Sequence, residues 1–440
     1  MNTPRFNRTR SVTAILIASL MLAIFAPITS AADILSALDF RNAMRQLWED
    51  HVAWTRLYIV SVAADLPDKD LVTQRLLQNQ TDIGNAIKPF YGDQAGDKLT
   101  ALLTDHILGA AELLAAAKAG DTAKVDAASQ KWYANADDIA AFLSSANPKA
   151  WPLADMQAGM KMHLDLTLEE AVARLQGKFA DDIRDYDKVH EHILGLADLL
   201  SSGIISQFPD KFDQSSMAQF PLRSAMRKLW EDHITWTRLY IVSVAAGLPD
   251  ADLVAQRLLQ DQTDIGDAVK PFYGAEAGDQ LTALLKDHIL GAADLLAAAK
   301  AGDSAKVDAA KAKWYTNAGD IATFLSDANP KNWPLDAMKA GMKMHLDLTL
   351  EQAVARLKGD FAADIKDYDE VHQHILGLAD TLSTGILSQF PATTTPALLP
   401  ETGTADHLSH DSSAAWLVLL VGPGLVVIGW FLRRRRIHAG

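Results

Sequence analysis

Met44-Arg45-Gln46-Leu47-Trp48-Glu49-Asp50-His51 is the most distinctive octapeptide of this chain, because it returns 182 residues later as Met226-Arg227-Lys228-Leu229-Trp230-Glu231-Asp232-His233. The match extends without a gap over residues 40–209 and 222–391, and nearly four in five of the aligned positions are identical. A period this long indicates two tandem domains rather than a solenoid built from short units.

Each repeat has the apolar periodicity of α-helices. In the first repeat, Leu99, Leu102, Leu103 and Leu113 recur at helical spacing, and the alternation typical of strands is missing. Six helical segments per repeat, joined by short turns, predict an all-α fold of two tandem antiparallel helical bundles. We expect each repeat to carry a whole hydrophobic core of its own.

Capping and breaking signals predict where these helices end. The second segment, residues 68–88, is expected in two pieces that stop before Pro89, and Asp121 is the expected N-cap of the fourth segment. The fifth segment is expected to break near Asp165 or Thr167, because Thr167-Leu168-Glu169-Glu170 has the pattern of a capping box.

The N-terminus has the pattern of a secretory signal peptide. Arg5, Arg8 and Arg10 precede an apolar stretch, residues 12–26, and the small residues 30–32 follow. This pattern predicts cleavage after Ala31 or Ala32, and the alternative is a retained N-terminal membrane helix.

The C-terminus carries three signals in a fixed order. Leu399-Pro400-Glu401-Thr402-Gly403 is followed by a polar spacer, an apolar run over residues 414–432 and four arginines, Arg433 to Arg436. The run has 19 residues. A helix of that length spans about 28 Å, close to the hydrocarbon thickness of a bilayer.

This order resembles the sorting signal of Gram-positive surface proteins, an LPxTG motif with a membrane stop and a basic tail. The resemblance implies that the membrane first holds the chain. A sortase then cleaves between Thr402 and Gly403 and joins the new carboxyl end to cell-wall peptidoglycan. The alternative is an ordinary membrane anchor in which the motif is incidental. The chain therefore divides into seven expected segments: a signal peptide (1–32), helical-bundle repeat 1 (33–209), a polar linker (210–221), helical-bundle repeat 2 (222–391), a stalk with the sorting motif (392–413), a transmembrane segment (414–432) and a basic cytoplasmic tail (433–440).

Charge and cysteine content exclude several classes of function. The whole chain carries −14; residues 1–32 contribute +3 and residues 404–440 contribute +2, which leaves −19 for the segment between them. Such a surface repels nucleic acid, so we expect no nucleic-acid partner. The absence of cysteine excludes disulfides and thiolate metal sites.

Histidines are the candidate chemical groups, since each repeat has five of them on four expected helices. His190 and His192 are two residues apart, so at most one of them faces inward; we take His190, because Asp187 lies one turn before it. Histidines and carboxylates that converge from facing helices form the metal sites of helical bundles, and this ligand set suits divalent iron, zinc or manganese. The candidate ligands are His51, His106, His163, His190 and Asp187 in the first repeat, and His233, His288, His345, His372 and Asp369 in the second. The alternative is that each histidine is a packed or partly exposed residue with one hydrogen bond.

A second resemblance covers each repeat almost entirely. Leu47-Trp48-Glu49-Asp50-His51, Trp54-Thr55-Arg56 and Asp105-His106-Ile107 together resemble a group of small bacterial helical proteins of unknown function. Members sometimes carry enzyme names such as glycosyltransferase or acetylglutamate kinase, but no phosphate loop or nucleophile motif supports an enzyme here.

Two hypotheses of function follow from the sequence. The first is a surface protein, anchored to the cell wall, whose two helical bundles bind an unidentified surface ligand. The second is an extracytoplasmic metal-binding bundle that uses the inward histidines.

Overall fold

The computed structural model describes residues 34–391, which fold into twelve α-helices and one short pair of strands. The all-α class expected from the sequence is confirmed, with six helices in each repeat. The expected signal peptide, sorting motif, transmembrane segment and basic tail lie outside the described residues. Repeat 1 contains α1 Ala37–Ala63, α2 Lys69–Tyr91, α3 Asp93–Ala119, α4 Thr122–Ala146, α5 Leu153–Leu175 and α6 Phe179–Gln207. Repeat 2 contains α7 Phe220–Ala246, α8 Ala251–Tyr273, α9 Ala275–Ala301, α10 Ser304–Ala328, α11 Leu335–Lys358 and α12 Phe361–Gln389. The strands are β1 Leu35–Ser36 and β2 Phe212–Asp213.

Successive helices of each repeat pack against each other, and the first packs also against the sixth, which closes the bundle. Because neighbours along the chain alternate in direction, α1, α3 and α5 run the same way, as do α7, α9 and α11. Side chains at the same height on these three helices therefore point into one bundle interior.

Two helices differ from the sequence expectation, and the start of a third agrees with it. The helix α2 is continuous and includes Pro89, two residues before its end at Tyr91. The helix α5 also continues without a break, because Thr167 Oγ1 donates 2.8 Å to the carbonyl of His163 instead of capping a new helix. Asp121 is the N-cap of α4, as expected, and accepts a hydrogen bond from the Lys124 amide.

The segment 210–221, although largely exposed, is anchored to the first bundle at Phe212. β1 pairs in parallel with β2, so that Leu35 lies beside Phe212. Phe212 is 6% exposed, and its ring lies 5.1 Å from that of Phe40 and 5.4 Å from that of Phe90. The segment between the repeats is therefore held against the first bundle.

The two repeats share a pseudo-twofold interface, in which the main inter-repeat ion pairs occur twice with the roles exchanged. Arg174 pairs with Asp250, and Arg356 pairs with Asp68. One continuous hydrophobic core includes residues of both repeats. The repeats are therefore two halves of one packed unit. This differs from the expectation that each repeat carries a whole hydrophobic core of its own. Aromatic pairs repeat the same symmetry: Trp54 with Tyr368, and Tyr186 with Trp236, both at 5.6 Å between ring centroids.

Among the described residues, α3 is the one helix that is long and apolar enough to cross a membrane. Half of its most apolar window is buried inside the protein, where it packs against α2 and α4. Its apolar composition is that of a core helix.

Candidate metal centre

Three of the histidines singled out in the first repeat converge inside the bundle. His51 on α1, His106 on α3 and His163 on α5 each offer one ring nitrogen, and these three atoms lie within 4.8 Å of one another. Their ring centroids are 5.6 Å to 6.1 Å apart. Because the three helices run in the same direction, the bundle brings one imidazole from each to the same height. We call this cluster the histidine trio of repeat 1.

Two amide side chains fix the orientation of the trio. His51 Nδ1 lies 3.2 Å from Gln80 Oε1, and the amide nitrogen of Gln80 donates to the Leu76 carbonyl. His106 Nδ1 lies 3.2 Å from Asn135 Oδ1, and Asn135 donates in the same way to the Leu102 carbonyl. Since each amide presents its oxygen, each Nδ1 must be the protonated nitrogen, and Nε2 keeps its lone pair.

The electrostatics of the trio favour neutral imidazoles. All three rings are buried, with at most 4% of each residue exposed. Burial lowers the pKa of His51 to about 4 and that of His106 to about 3, and it lowers the pKa of His163 well below its ordinary value. A neutral imidazole with a free lone pair is the form that binds a metal ion.

The residues fit a metal ion after a small contraction. Zinc–nitrogen bonds of about 2.0–2.1 Å in a tetrahedral site place the ligand nitrogens about 3.3 Å apart. The trio has nitrogens up to 4.8 Å apart, so these separations would need to shorten by up to about 1.5 Å. His163 Nδ1 is buried without a hydrogen-bond partner. Three protein ligands would leave a fourth position open, as in catalytic rather than structural zinc sites.

The equivalent residues of the second repeat also lie near one another, but their ring nitrogens do not all come within 4.8 Å, and His233 Nδ1 lacks the amide partner that His51 has. The ring of His345 lies 5.7 Å from that of His233 and 5.8 Å from that of His288. His288 Nδ1 lies 3.0 Å from Asn317 Oδ1, which repeats the orientation found for His106. Burial lowers the pKa of His233 to about 3 and that of His288 to about 4, and His345 Nδ1 has no partner.

The structure does not bring His190 into the trio. His190 lies at the interface between the repeats, with Nε2 at 3.2 Å from Glu49 Oε1 and Nδ1 at 3.0 Å from Asp232 Oδ1. Burial alone would lower its pKa, but the two carboxylates outweigh burial and raise the pKa to about 9. His372 is its symmetry equivalent, bonded to Glu231, with its pKa also raised to about 9. These two histidines are therefore imidazolium ions at neutral pH.

The two predicted carboxylate ligands also lie at the interface. Asp187 accepts from Arg257 Nε at 2.9 Å, and Asp369 accepts from Arg75 Nε at 2.9 Å. Each carboxylate thus joins one repeat to the other instead of facing a trio.

His192 is the residue that the sequence reasoning set aside. Its ring stacks on that of His163, with centroids 6.1 Å apart, and its Nε2 lies 3.1 Å from the Gly159 carbonyl. The signal was present in α6, which has buried residues on two faces: Val189 and Leu196 flank His192, while Tyr186 flanks His190. A helix with two buried faces can present both histidines to the interior.

The comparisons with known proteins leave this geometry as the main guide to function. Searches against protein-family models, curated proteins and solved structures found no match to this chain.

Proposed function

We propose that this chain is an exported metal-binding protein of the cell surface, in which each helical bundle holds one divalent metal ion through its histidine trio. The observation that supports the proposal is the convergence of His51, His106 and His163 from three separate helices. Packing alone does not require three imidazoles at one height. Each of them is a polar group whose burial is unfavourable without a partner.

Hydrogen bonds outside the trio favour a metal-binding role for these histidines over a purely structural role. Ligating histidines usually donate their second ring N–H to an oxygen of a neighbouring group, which orients the ring. Gln80 and Asn135 accept in this way from His51 and His106. A purely structural histidine would be satisfied by that one bond, and its second nitrogen would have no reason to face two other imidazoles.

The ligand chemistry narrows the choice of metal. The trio supplies imidazole nitrogens without a carboxylate, since Asp187 and Asp369 bind arginines elsewhere. Imidazole suits zinc, copper, iron and nickel, whereas manganese prefers oxygen ligands. Zinc and iron therefore fit better than manganese.

Metal titration tests the proposal. We expect residues 33–402 to bind two zinc ions in calorimetry, one for each repeat. The variant His106→Ala should bind one, because only the trio of repeat 1 is broken. His190→Gln is the matched control and should still bind two. Zinc binding that is absent below millimolar concentration, or that is unchanged in His106→Ala, contradicts the proposal and leaves the surface-display hypothesis standing alone.

The proposed location rests on the two terminal signals. Export through the signal peptide, residues 1–32, and sorting at Leu399–Gly403 would attach the chain covalently to the peptidoglycan of a Gram-positive cell wall. Mass spectrometry of wall-released protein should find Thr402 joined to a peptide amine. Recovery of the full-length chain from the membrane, unchanged by deletion of the sortase, would contradict this part of the proposal.

A further inference from the structure

A cavity of about 50 Å³, partly open to the surface, lies in the second bundle about one helical turn from His233, His288 and His345. Thr237, Ala292 and Thr349 line it. Each of them follows a trio histidine by four residues, which is about 6 Å along the helix axis. Because α7, α9 and α11 run in the same direction, all three residues lie on the same side of the trio. The cavity therefore lies beyond the histidines, none of which lines it, and extends toward the C-terminal ends of these helices.

The lining offers few partners to a polar occupant. Nearly all of it is apolar, and both threonine hydroxyl protons are already donated: Thr237 donates 2.7 Å to the His233 carbonyl and Thr349 donates 2.8 Å to the His345 carbonyl. The remaining hydroxyl belongs to the half-buried Tyr240. A bound water needs two to four polar partners, and cavities that lack them stay dry and accept apolar guests such as xenon.

The size of the cavity limits its occupant to a few atoms. An engineered cavity of about 150 Å³ accepts benzene, whereas this one has about 50 Å³. We propose that the cavity is a binding site for a small apolar molecule of the size of dioxygen, held about one helical turn from the histidines that would bind the metal ion. The metal part of this inference rests on the proposed function, and the cavity itself does not.

The first repeat carries the same lining. All fifteen residues around the cavity have identical counterparts 182 positions earlier, among them Thr55, Ala110 and Thr167. These residues occupy the same places relative to His51, His106 and His163. The proposal therefore applies to one site in each repeat.

Xenon is the probe for the cavity, because it is apolar and needs no metal. In metal-free residues 33–402, xenon should shift the methyl resonances of Ile289, which lines the cavity. Ala292→Leu fills the cavity from α9 and should abolish the shift. Ala297→Leu, an exposed position on the same helix, is the matched control and should leave it unchanged. If Ala292→Leu does not fold, Ala353→Leu fills the cavity from α11. No shift at Ile289, or an unchanged shift in the filled variant, overturns the binding site.

Cobalt(II) tests whether the site adjoins the metal. With cobalt(II) bound, the resonance of cavity xenon should show a paramagnetic shift that zinc(II), the diamagnetic control, does not produce. Xenon that binds without a paramagnetic shift would overturn the adjacency and count against a metal at the trio, while the cavity would stand. The two failures are thus distinguishable.

Discussion

Arg174→Leu tests whether the two repeats fold as one unit. The Arg174 guanidinium lies between two carboxylates, Asp182 of its own repeat at 3.2 Å and Asp250 of the other repeat. All three side chains are at most 2% exposed. The substitution leaves Asp182 with Arg56 but removes the cation that Asp250 contacts across the interface. It therefore leaves a buried carboxylate without its ion-pair partner.

The expected loss follows from that burial. Removing one partner of a buried ion pair costs about 3–5 kcal/mol. Unfolding entropy of about 2.1 cal/mol/K per residue, over about 360 residues, is about 0.75 kcal/mol/K. If both repeats unfold together, the single melting temperature falls by about 4–7 °C. If they unfolded separately, one of two transitions would move by about twice as much and the other would stay.

Differential scanning calorimetry of residues 33–402 distinguishes these outcomes. Arg184→Leu is the matched control, because Arg184 lies on the next helix, α6, in an exposed pair with Asp181. Exposed pairs contribute about 0–1 kcal/mol, so this variant should melt within about a degree of the parent. Two transitions, with only one of them shifted by Arg174→Leu, would refute the shared fold.

Three further predictions follow from particular contacts. The pKa values of His190 and His372 are raised, so the stability that these histidines contribute is complete below about pH 6.5 and is lost as pH rises through about 9. Denaturant titration should therefore show a loss in the free energy of unfolding on the order of 2 kcal/mol per histidine between pH 7 and 9.5. In the double variant with glutamine at both positions, the free energy of unfolding should not change over this range. A Cβ at Gly84 would lie 2.6 Å from the Gly96 carbonyl oxygen, so Gly84→Ala should cost about 1–3 kcal/mol in the same assay; an unchanged midpoint would show that α2 and α3 can separate freely. Burial raises the pKa of Glu170 to about 8, so this carboxyl is mostly protonated at neutral pH, and Glu170→Gln should change stability by less than about 1 kcal/mol; a larger loss would indicate an ionised carboxylate.

The local patterns of the sequence predicted much of the fold. Helical spacing and the Asp121 cap identified six helices per repeat, and the helix ends are close to those expected. Patterns within one element did not reveal contacts between elements. Phe212 stands in a polar segment, yet it packs on the first bundle, because strand pairing carries it there.

The same limit applies to the candidate site. Three histidines of each repeat were identified because one apolar face of a helix is enough to place a side chain inside a bundle. The choice of His190 over His192 assumed that α6 has one buried face. The helix has two, since it also contacts the second repeat, and a pseudo-twofold interface leaves no periodic signal of its own. Gln80 and Asn135 were missed because an amide on a helix carries no sign of the ring that it contacts.

The most direct test of the central claim is to locate the metal. Anomalous diffraction at the zinc edge, from crystals of residues 33–402 grown with zinc, should show one peak bonded to His51, His106 and His163, at about 2.0–2.1 Å from each ligand nitrogen. An equivalent peak is expected at His233, His288 and His345. Peaks at Glu49, His190 and Asp232 in the interface instead, or no ordered peak within either bundle, would contradict the account.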